Sequence, residues 1–343
     1  GSRVTTRWRE MTRTDRHGLT VRDRLALDAA KLYYSGLSQA EVAERLFVNR
    51  ATVSKLLSTA RRKGLVRTVI RDPREMDTEL YGALNAAYDL SSLRLVVPVG
   101  RGPMDKRHAL GVAGAELLEG LVQVSDTLGM WWSQTTCEVA RAFRRTATRG
   151  VRIVGLNGSD DSAHDLAAWE SAREHIEREL GWETVAARSP HIYSSLSDKL
   201  ESERTPEARA VRAAQNACRI TVFSTSSAHA LMARQPDTLS EDERARIECT
   251  SVGHICGHFI DADARICEPI VNQRTSGLPL ATLRNVEQKV LVACGPDKVA
   301  AMDAILANRY ANHLVTDVDT ARDLVRMSED RQRTRADSPI AEP

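Results

Sequence analysis

No apolar run in this 343-residue sequence approaches the roughly 20 residues that a bilayer-crossing helix needs, and the Arg-rich start lacks the apolar stretch of a secretion signal. A membrane partner is not expected, and the cytoplasm is the expected location. Cysteines are few and scattered: Cys137, Cys218, Cys249, Cys256, Cys267 and Cys294 contain no CxxC pair. That argues against a disulfide scaffold or a zinc ribbon, and the thiols read as buried. His254, Cys256 and His258 cluster around Gly253 and Gly257, where strand alternation can put all three on one side, but no clear fourth ligand accompanies them. No metal or cofactor is expected.

A large net charge is also absent, at +2, yet that small total hides a division. Residues 1–71 carry 16 Lys and Arg against 6 Asp and Glu, a balance of +10, whereas residues 72–343 carry 32 against 40, a balance of −8. A basic first segment on an acidic body suits a polyanion-binding head on a regulatory body; a solvated basic tail is the alternative. Hydrophobic residues at 42% and charged residues at 27% are those of an ordinary globular protein, long enough for about two domains.

Residues 22–36 place Leu25, Leu27, Ala30 and Leu32 at near-helical spacing and end at Gly36, which predicts a first helix. Ser38-Gln39-Ala40-Glu41 is a capping box that starts a second, short helix to about Leu46. Asn49 can cap a third, with Val53, Leu56 and Leu57 inward and Arg50, Ala51, Thr52, Ser54 and Lys55 outward near its start. Small Ala43 permits the two short helices to cross closely, as a helix-turn-helix requires. The candidate DNA contacts are then Ser38, Gln39, Arg50, Ala51, Thr52, Ser54 and Lys55, with Arg61, Arg62 and Lys63 meeting phosphates. Residues 65–70 read as a strand for a small wing. An oligomerising three-helix bundle is the alternative use of residues 20–71. Glycine is missing from the turn: Phe47 stands there, so either the turn is remodelled or Phe47 packs against the first helix.

From about residue 90 apolar strands alternate with helices. The strands are expected at 93–99, 127–132, 151–156, 218–223, 255–260, 289–294 and 313–316, with helices around 105–122 and from about 135. Such alternation predicts a mainly parallel sheet covered by helices, which binds ligands beyond the C-terminal ends of its strands. The polar loops at those ends are Ser133-Gln134-Thr135-Thr136, Asn157-Gly158-Ser159, Ser224-Thr225-Ser226-Ser227 and Gly295-Pro296-Asp297-Lys298. Together they can form a pocket; each alone can equally be a helix cap or turn. The segment 74–90, with Leu80, Leu84 and Tyr88 at four-residue spacing, is a linker helix that either pairs subunits or packs on its own domain. The expected division is a flexible basic tail at 1–18, a helix-turn-helix domain at 19–71, this linker at 72–90, an effector domain at 91–328 and a flexible tail at 329–343.

The head GLSQAEVAERLFVNRATVSKLLSTARRKGLVRTVI at 36–70, followed by Arg71-Asp72-Pro73, resembles that of the SorC family of sugar-responsive bacterial regulators. The resemblance continues through GMWWSQTTCEVA (129–140), SVGHICGHFIDADARI (251–266), VACGPDKVAAMDAIL (292–306) and HLVTDVDTARDL (313–324), spanning about residues 20–326. It implies a small winged helix-turn-helix domain joined to a larger α/β domain similar to sugar-phosphate isomerase and deaminase folds. It also implies operator DNA and a carbohydrate or sugar-phosphate effector as partners. Carried onto this chain, the resemblance makes Thr135 a phosphate holder, Asp261 an acceptor for ligand hydroxyls and Lys298 the cation that meets the phosphate. Ser133, Gln134, Gly158, Ser224, Thr225 and Ser226 complete the expected effector site. The departures are Ser133, Ser224 and Ser226 where the family usually has glycine, and His254 where it has aspartate. They imply altered pocket geometry, for an unusual phosphate ester or an unphosphorylated compound.

The expected function is thus a DNA-binding regulator, a homodimer or homotetramer, acting as a repressor released by its ligand. The alternative is a sugar-phosphate isomerase or deaminase carrying a DNA-binding head, for which Asp261, Asp263, His254 or His258 would supply the general base.

Overall fold

In the computed structural model, residues 18–66, 70–100, 102–144, 148–157, 163–186, 189–234 and 238–337 are described. The chain divides near Ile70 into a helical unit and a larger α/β unit. In the first unit α1 (Val21–Tyr34) begins at Thr20, whose hydroxyl and the Asp23 carboxylate cap each other's backbone N–H groups. The second helix, α2 (Gln39–Arg45), begins at the expected Ser38–Glu41 capping box. Asn49 starts α3 (Arg50–Arg62) by accepting the Thr52 N–H at 2.7 Å.

The core between these helices is built from Ala26, Ala29, Ala30, Val42, Ala43, Val53, Leu56, Leu57 and Ala60. Of the residues whose spacing predicts α1, Ala30 lies in this core while Leu25 and Leu32 are only partly buried at its margin, and three alanines hold the centre. Alanine lets α1 approach its neighbours more closely than leucine does. Phe47 does not pack on α1, for it is 96% exposed at a φ of +55°. Of the expected wing, residues 67–69 lie outside the described residues, and Leu65 and Val66 rest against the head core.

The second unit opens with a 3-10 turn at Pro73–Glu75 and α4 (Thr78–Tyr88). Leu80, Leu84 and Tyr88 are buried among residues of this same unit. Those three side chains are thus spent on their own domain and do not pair subunits. The main sheet contains β1 (Ser92–Val96), β2 (Thr127–Met130), β3 (Arg152–Gly155), β4 (Glu183–Val185), β5 (Ile220–Phe223), β8 (Gln288–Val292) and β9 (His313–Asp317), in the order β1-β9-β8-β5-β2-β3-β4. Every adjacent pair is parallel. The expected strand at 255–260 belongs elsewhere: β6 (Gly253–Ile255) and β7 (His258–Ile260) form an antiparallel hairpin. Cys256 and Gly257 turn the chain at positive φ between them, so one continuous strand is impossible.

Alternation along the central strands feeds two cores, one on each face of the sheet. Val290, Val292 and Val315 point to the face covered by α5 (Pro103–Leu121), α6 (Gln134–Ala142) and α7 (Ala163–His175). Leu291 and Leu314 point to the other, covered by α4, α14 (Val299–Ala307) and α15 (Val318–Asp337). The intervening helices are α8 (Leu196–Ser202), α9 (Pro206–Asn216), α10 (Ala228–Met232), α11 (Glu241–Thr250), α12 (Pro269–Gln273) and α13 (Leu280–Arg284). The last helix, α15, runs on to Asp337, past residue 329 where a tail was expected. An inward ion pair continues it, for Arg331 meets buried Asp303 at 3.1 Å. From β2 the chain winds outward through β3 and β4, then returns to β5 and winds the other way through β8 and β9. The reversal between β2 and β5 is a topological switch point, where a crevice opens at the strand ends.

Candidate functional site

A cavity of about 320 Å³ occupies that crevice, within the size range of small-molecule sites. Ser133, Gln134 and Thr135 reach it from the loop after β2, Ser224, Thr225 and Ser226 from the loop after β5, and Cys294, Asp297 and Lys298 from the loop after β8. The helix after β1 adds Pro103, Lys106 and Arg107; Trp131, Arg234 and His254 complete much of the wall. Seven of the residues expected from sequence therefore meet at one place. Lys106 and Arg107 were missed, although they begin a helix that follows a strand just as Gln134 does. Arg234 gave no signal, since it arrives from the end of a short helix far from any strand terminus.

Ser133 caps α6 by accepting the Thr136 N–H at 3.3 Å, and its own N–H donates to the Thr136 hydroxyl at 2.9 Å. The opening N–H groups of α6, at Gln134 and Thr135, have no acceptor within the helix and form the positive end of its dipole. Thr135 is buried, and among the described residues its hydroxyl has no hydrogen-bond partner. The Thr225 hydroxyl instead donates to the His254 carbonyl at 2.8 Å, tying the β5 loop to the β6–β7 hairpin. Ser224 and Ser226 stand at negative φ, so serine in place of the family's glycine strains neither position.

Burial, reinforced by His191, Arg234 and Lys298, lowers the pKa of His254 to about 3, and the ring is neutral. Its Nδ1 accepts the Gly257 N–H at 3.3 Å, which leaves the hydrogen on Nε2 to be donated to Ser226 Oγ at 3.1 Å. Trp131 packs against the same histidine with ring centres 5.4 Å apart and the planes tilted by 45°. Gly257 is required there: a Cβ on it would stand 2.0 Å from the His191 ring. Lys106 pairs with buried Asp317 at 3.1 Å. Burial tends to raise the pKa of Asp317, but hydrogen bonds from Thr320 and Lys106 outweigh that and hold it low. The Cys294 thiol is pushed up to about 11 by burial and by Asp317, so it stays protonated. With Lys106 already paired to Asp317, Arg107, Arg234 and Lys298 against Asp297 still leave the lining cationic, which with the α6 terminus suits an anion.

Asp261 is not in this lining. Its carboxylate accepts the N–H groups of Asp263 at 2.9 Å and Arg265 at 2.8 Å, so it shapes the turn after β7. A carboxylate next to free backbone donors is consumed locally. Gly158 lies outside the described residues, and Asn157 borders a different, larger cleft of about 720 Å³ with Trp132 and Trp169. The His254, Cys256 and His258 cluster is dispersed by the hairpin: His258 bonds Asn272 Oδ1 at 2.6 Å and the Leu278 carbonyl at 3.0 Å. Among the described residues no group of His, Cys, Asp and Glu could hold a metal.

In the head, Arg50, Ala51, Ser54 and Lys55 are exposed along the start of α3, Thr52 is half-buried, and Ser38 and Gln39 open α2. The basic end of α3 is partly engaged already: Lys63 pairs with buried Asp23 at 2.6 Å and Arg61 donates to the Tyr34 hydroxyl at 3.1 Å. Arg62 is exposed beside them.

Residues 72–326 match the family described as "Putative sugar-binding domain", and residues 19–69 match one described as "Homeodomain-like domain". The chain belongs to the SorC family of transcriptional regulators. It is 31% identical over 314 residues to the "Deoxyribonucleoside regulator" of Bacillus subtilis (strain 168), covering 89% of this chain and 98% of that protein. It is 25% identical over 320 residues to the "Transcriptional regulator LsrR" of Escherichia coli (strain K12), covering 90% and 96%. Its fold is shared with the full-length sorbitol operon regulator SorC from Klebsiella pneumoniae, with a TM-score of 0.69 at 21% identity over 91% of this chain and 100% of that one. This SorC-family chain is therefore a DNA-binding transcriptional regulator with a sugar-binding domain, and both of these relatives, matched over nearly their whole length, are named as regulators. No helix among its described residues is long and apolar enough to cross a membrane.

Proposed function

We propose that the protein is a repressor whose hold on its operator is released by a phosphorylated, monosaccharide-sized effector in the cavity at the β2/β5 switch point. The observation that carries this reading is the convergence of the α6 N-terminus, the partnerless Thr135 hydroxyl and Lys298 on a cavity with four cationic side chains. Charge-assisted hydrogen bonds to a phosphate are stronger than those to a neutral hydroxyl. Thr135 and Lys298 hold the phosphate, and Ser133, Gln134 and Ser224 serve the sugar end. The neutral His254, standing where the family has aspartate, donates to Ser226 Oγ, whose own hydrogen is held weakly by the Ser227 carbonyl at 3.3 Å and turns to a ligand oxygen when one is bound. The protein acts as a dimer or tetramer in the cytoplasm, with two heads on two half-sites. Effector binding favours one arrangement of the heads over another, as any ligand that shifts an equilibrium must.

The test is binding of the purified chain to its own upstream promoter DNA at fixed salt, with phosphates of deoxyribose, ribose and hexoses and the parent sugars. One phosphate ester is expected to weaken DNA binding, and Lys298→Ala to abolish that response while DNA affinity alone is unchanged. Release by an unphosphorylated sugar with Lys298→Ala fully responsive would refute the phosphate assignment.

A further inference from the structure

Phe47 stands where a helix-turn-helix turn ordinarily has glycine, and the structure shows two costs of having it there. The turn closes as a helix C-cap: the Val48 N–H donates to the Ala43 carbonyl at 3.0 Å and the Phe47 N–H to the Glu44 carbonyl at 3.2 Å. This pattern sets Phe47 at a φ of +55°, a left-handed conformation that residues other than glycine and asparagine adopt at a penalty. The ring gains nothing in return from the head, being 96% exposed, while its neighbours Leu46 and Val48 pack against the core. Glycine would satisfy the same turn without strain and without an aromatic ring in water.

The position of the ring suggests what it meets. Phe47 is two residues ahead of Asn49, the cap of α3, at the end of the recognition helix whose first residues contact base edges. Arg50, Ala51, Ser54 and Lys55 are exposed along that end, and the first turn of α3 contains no acidic residue. In the major groove the apolar feature open to an aromatic edge is the C5 methyl of thymine. We propose that Phe47 reads a thymine methyl in each operator half-site, an apolar contact added to the polar ones of α3. The proposal rests on the DNA-binding role of the head, and the experiment separates the two.

A duplex is first selected from a random library by the full chain. Each dT of its half-sites is then replaced by dU, which deletes only the methyl group, and affinities are measured at fixed salt for the wild type, Phe47→Ala and Phe47→Gly. One dT→dU change per half-site is expected to weaken wild-type binding about three- to fivefold, the scale of one buried methyl. Both variants should lose that sensitivity yet keep their response to base-pair changes elsewhere in the half-site. Phe47→Gly suits the left-handed turn, so its failure to bind could not be ascribed to misfolding. Identical dU profiles for all three proteins overturn the proposal. So does sedimentation showing that the variants dissociate an oligomer while the dU profile is unchanged, which would assign Phe47 to self-association. If no duplex is enriched at all, the head itself does not read sequence, and the Phe47 assignment falls with it.

Discussion

Thr135 and Thr136 are adjacent in the first turn of α6 and both are buried, yet replacing each by valine should have opposite consequences. The Thr136 hydroxyl donates to the Trp131 carbonyl and accepts the Ser133 N–H at 2.9 Å, so it fastens the loop after β2 to the helix. Thr136→Val leaves buried partners unsatisfied and should cost about 1–3 kcal/mol of stability. The Thr135 hydroxyl has no partner among the described residues and borders the cavity. Thr135→Val orphans nothing, so its effect on stability should be below about 1 kcal/mol. Its effect on effector binding should be large, because a hydrogen bond to a charged phosphate is worth about 1.5–3 kcal/mol, or a ten- to hundredfold loss of affinity. Urea denaturation of the ligand-free proteins measures the first quantity, and calorimetric titration with the effector found above measures the second. Thr135→Val unfolding as easily as Thr136→Val, or binding the effector with unchanged affinity, would refute the assignment of Thr135 to the ligand.

Tyr88 of α4 donates to Asp303 at 2.7 Å and lies 3.0 Å from the Leu324 carbonyl, joining α4 to α14 and α15 in a buried network that also holds Arg331. Tyr88→Phe should lower the unfolding free energy by about 1–2 kcal/mol in the same urea assay, and an unchanged midpoint would show the network to be idle. His191 and His254 are both lowered to about 3 by burial. Their unfolded forms bind a proton near pH 6.5 while the folded forms do not, so their stabilisation is complete above that pH and is lost as pH falls toward 3. Each should contribute a slope of about 1.4 kcal/mol per pH unit across that window. Stability measured from pH 7 to 4 should therefore fall less steeply in His254→Asn than in the wild type; parallel curves would place His254 in water instead.

Local rules made the head readable. A capping box, an asparagine cap and a helical stripe are decided within a few residues, so α2 and α3 begin where Ser38 and Asn49 say they must. The spacing of Leu25, Leu27, Ala30 and Leu32 found α1, but which side is most buried depends on how closely its partners approach, and alanine rather than leucine fits that contact. In the body the strand–loop–helix pattern placed Ser133 to Thr135, Ser224 to Ser226 and Lys298 at the right edge of the sheet. The resemblance gave Asp261 to the ligand, but the turn after the 253–260 hairpin takes its carboxylate for the Asp263 and Arg265 N–H groups. The short edge strand β4 went unseen, for three residues reading Glu-Thr-Val have no distinctive pattern.

The sequence by itself determined the two-part division, the helix-turn-helix with its caps, the parallel sheet and the polar loops that end its strands, because each follows from local propensity and periodicity. Only the tertiary structure decided which loops share a cavity, since that depends on strand order and the reversal between β2 and β5. It alone brought Lys106, Arg107, Arg234 and His254 into the wall of that cavity and left Asp261 out of it. It alone showed α4 buried on its own domain and Phe47 in water. Burial and proximity between distant segments are properties of packing, which a pattern of neighbours along the chain does not contain.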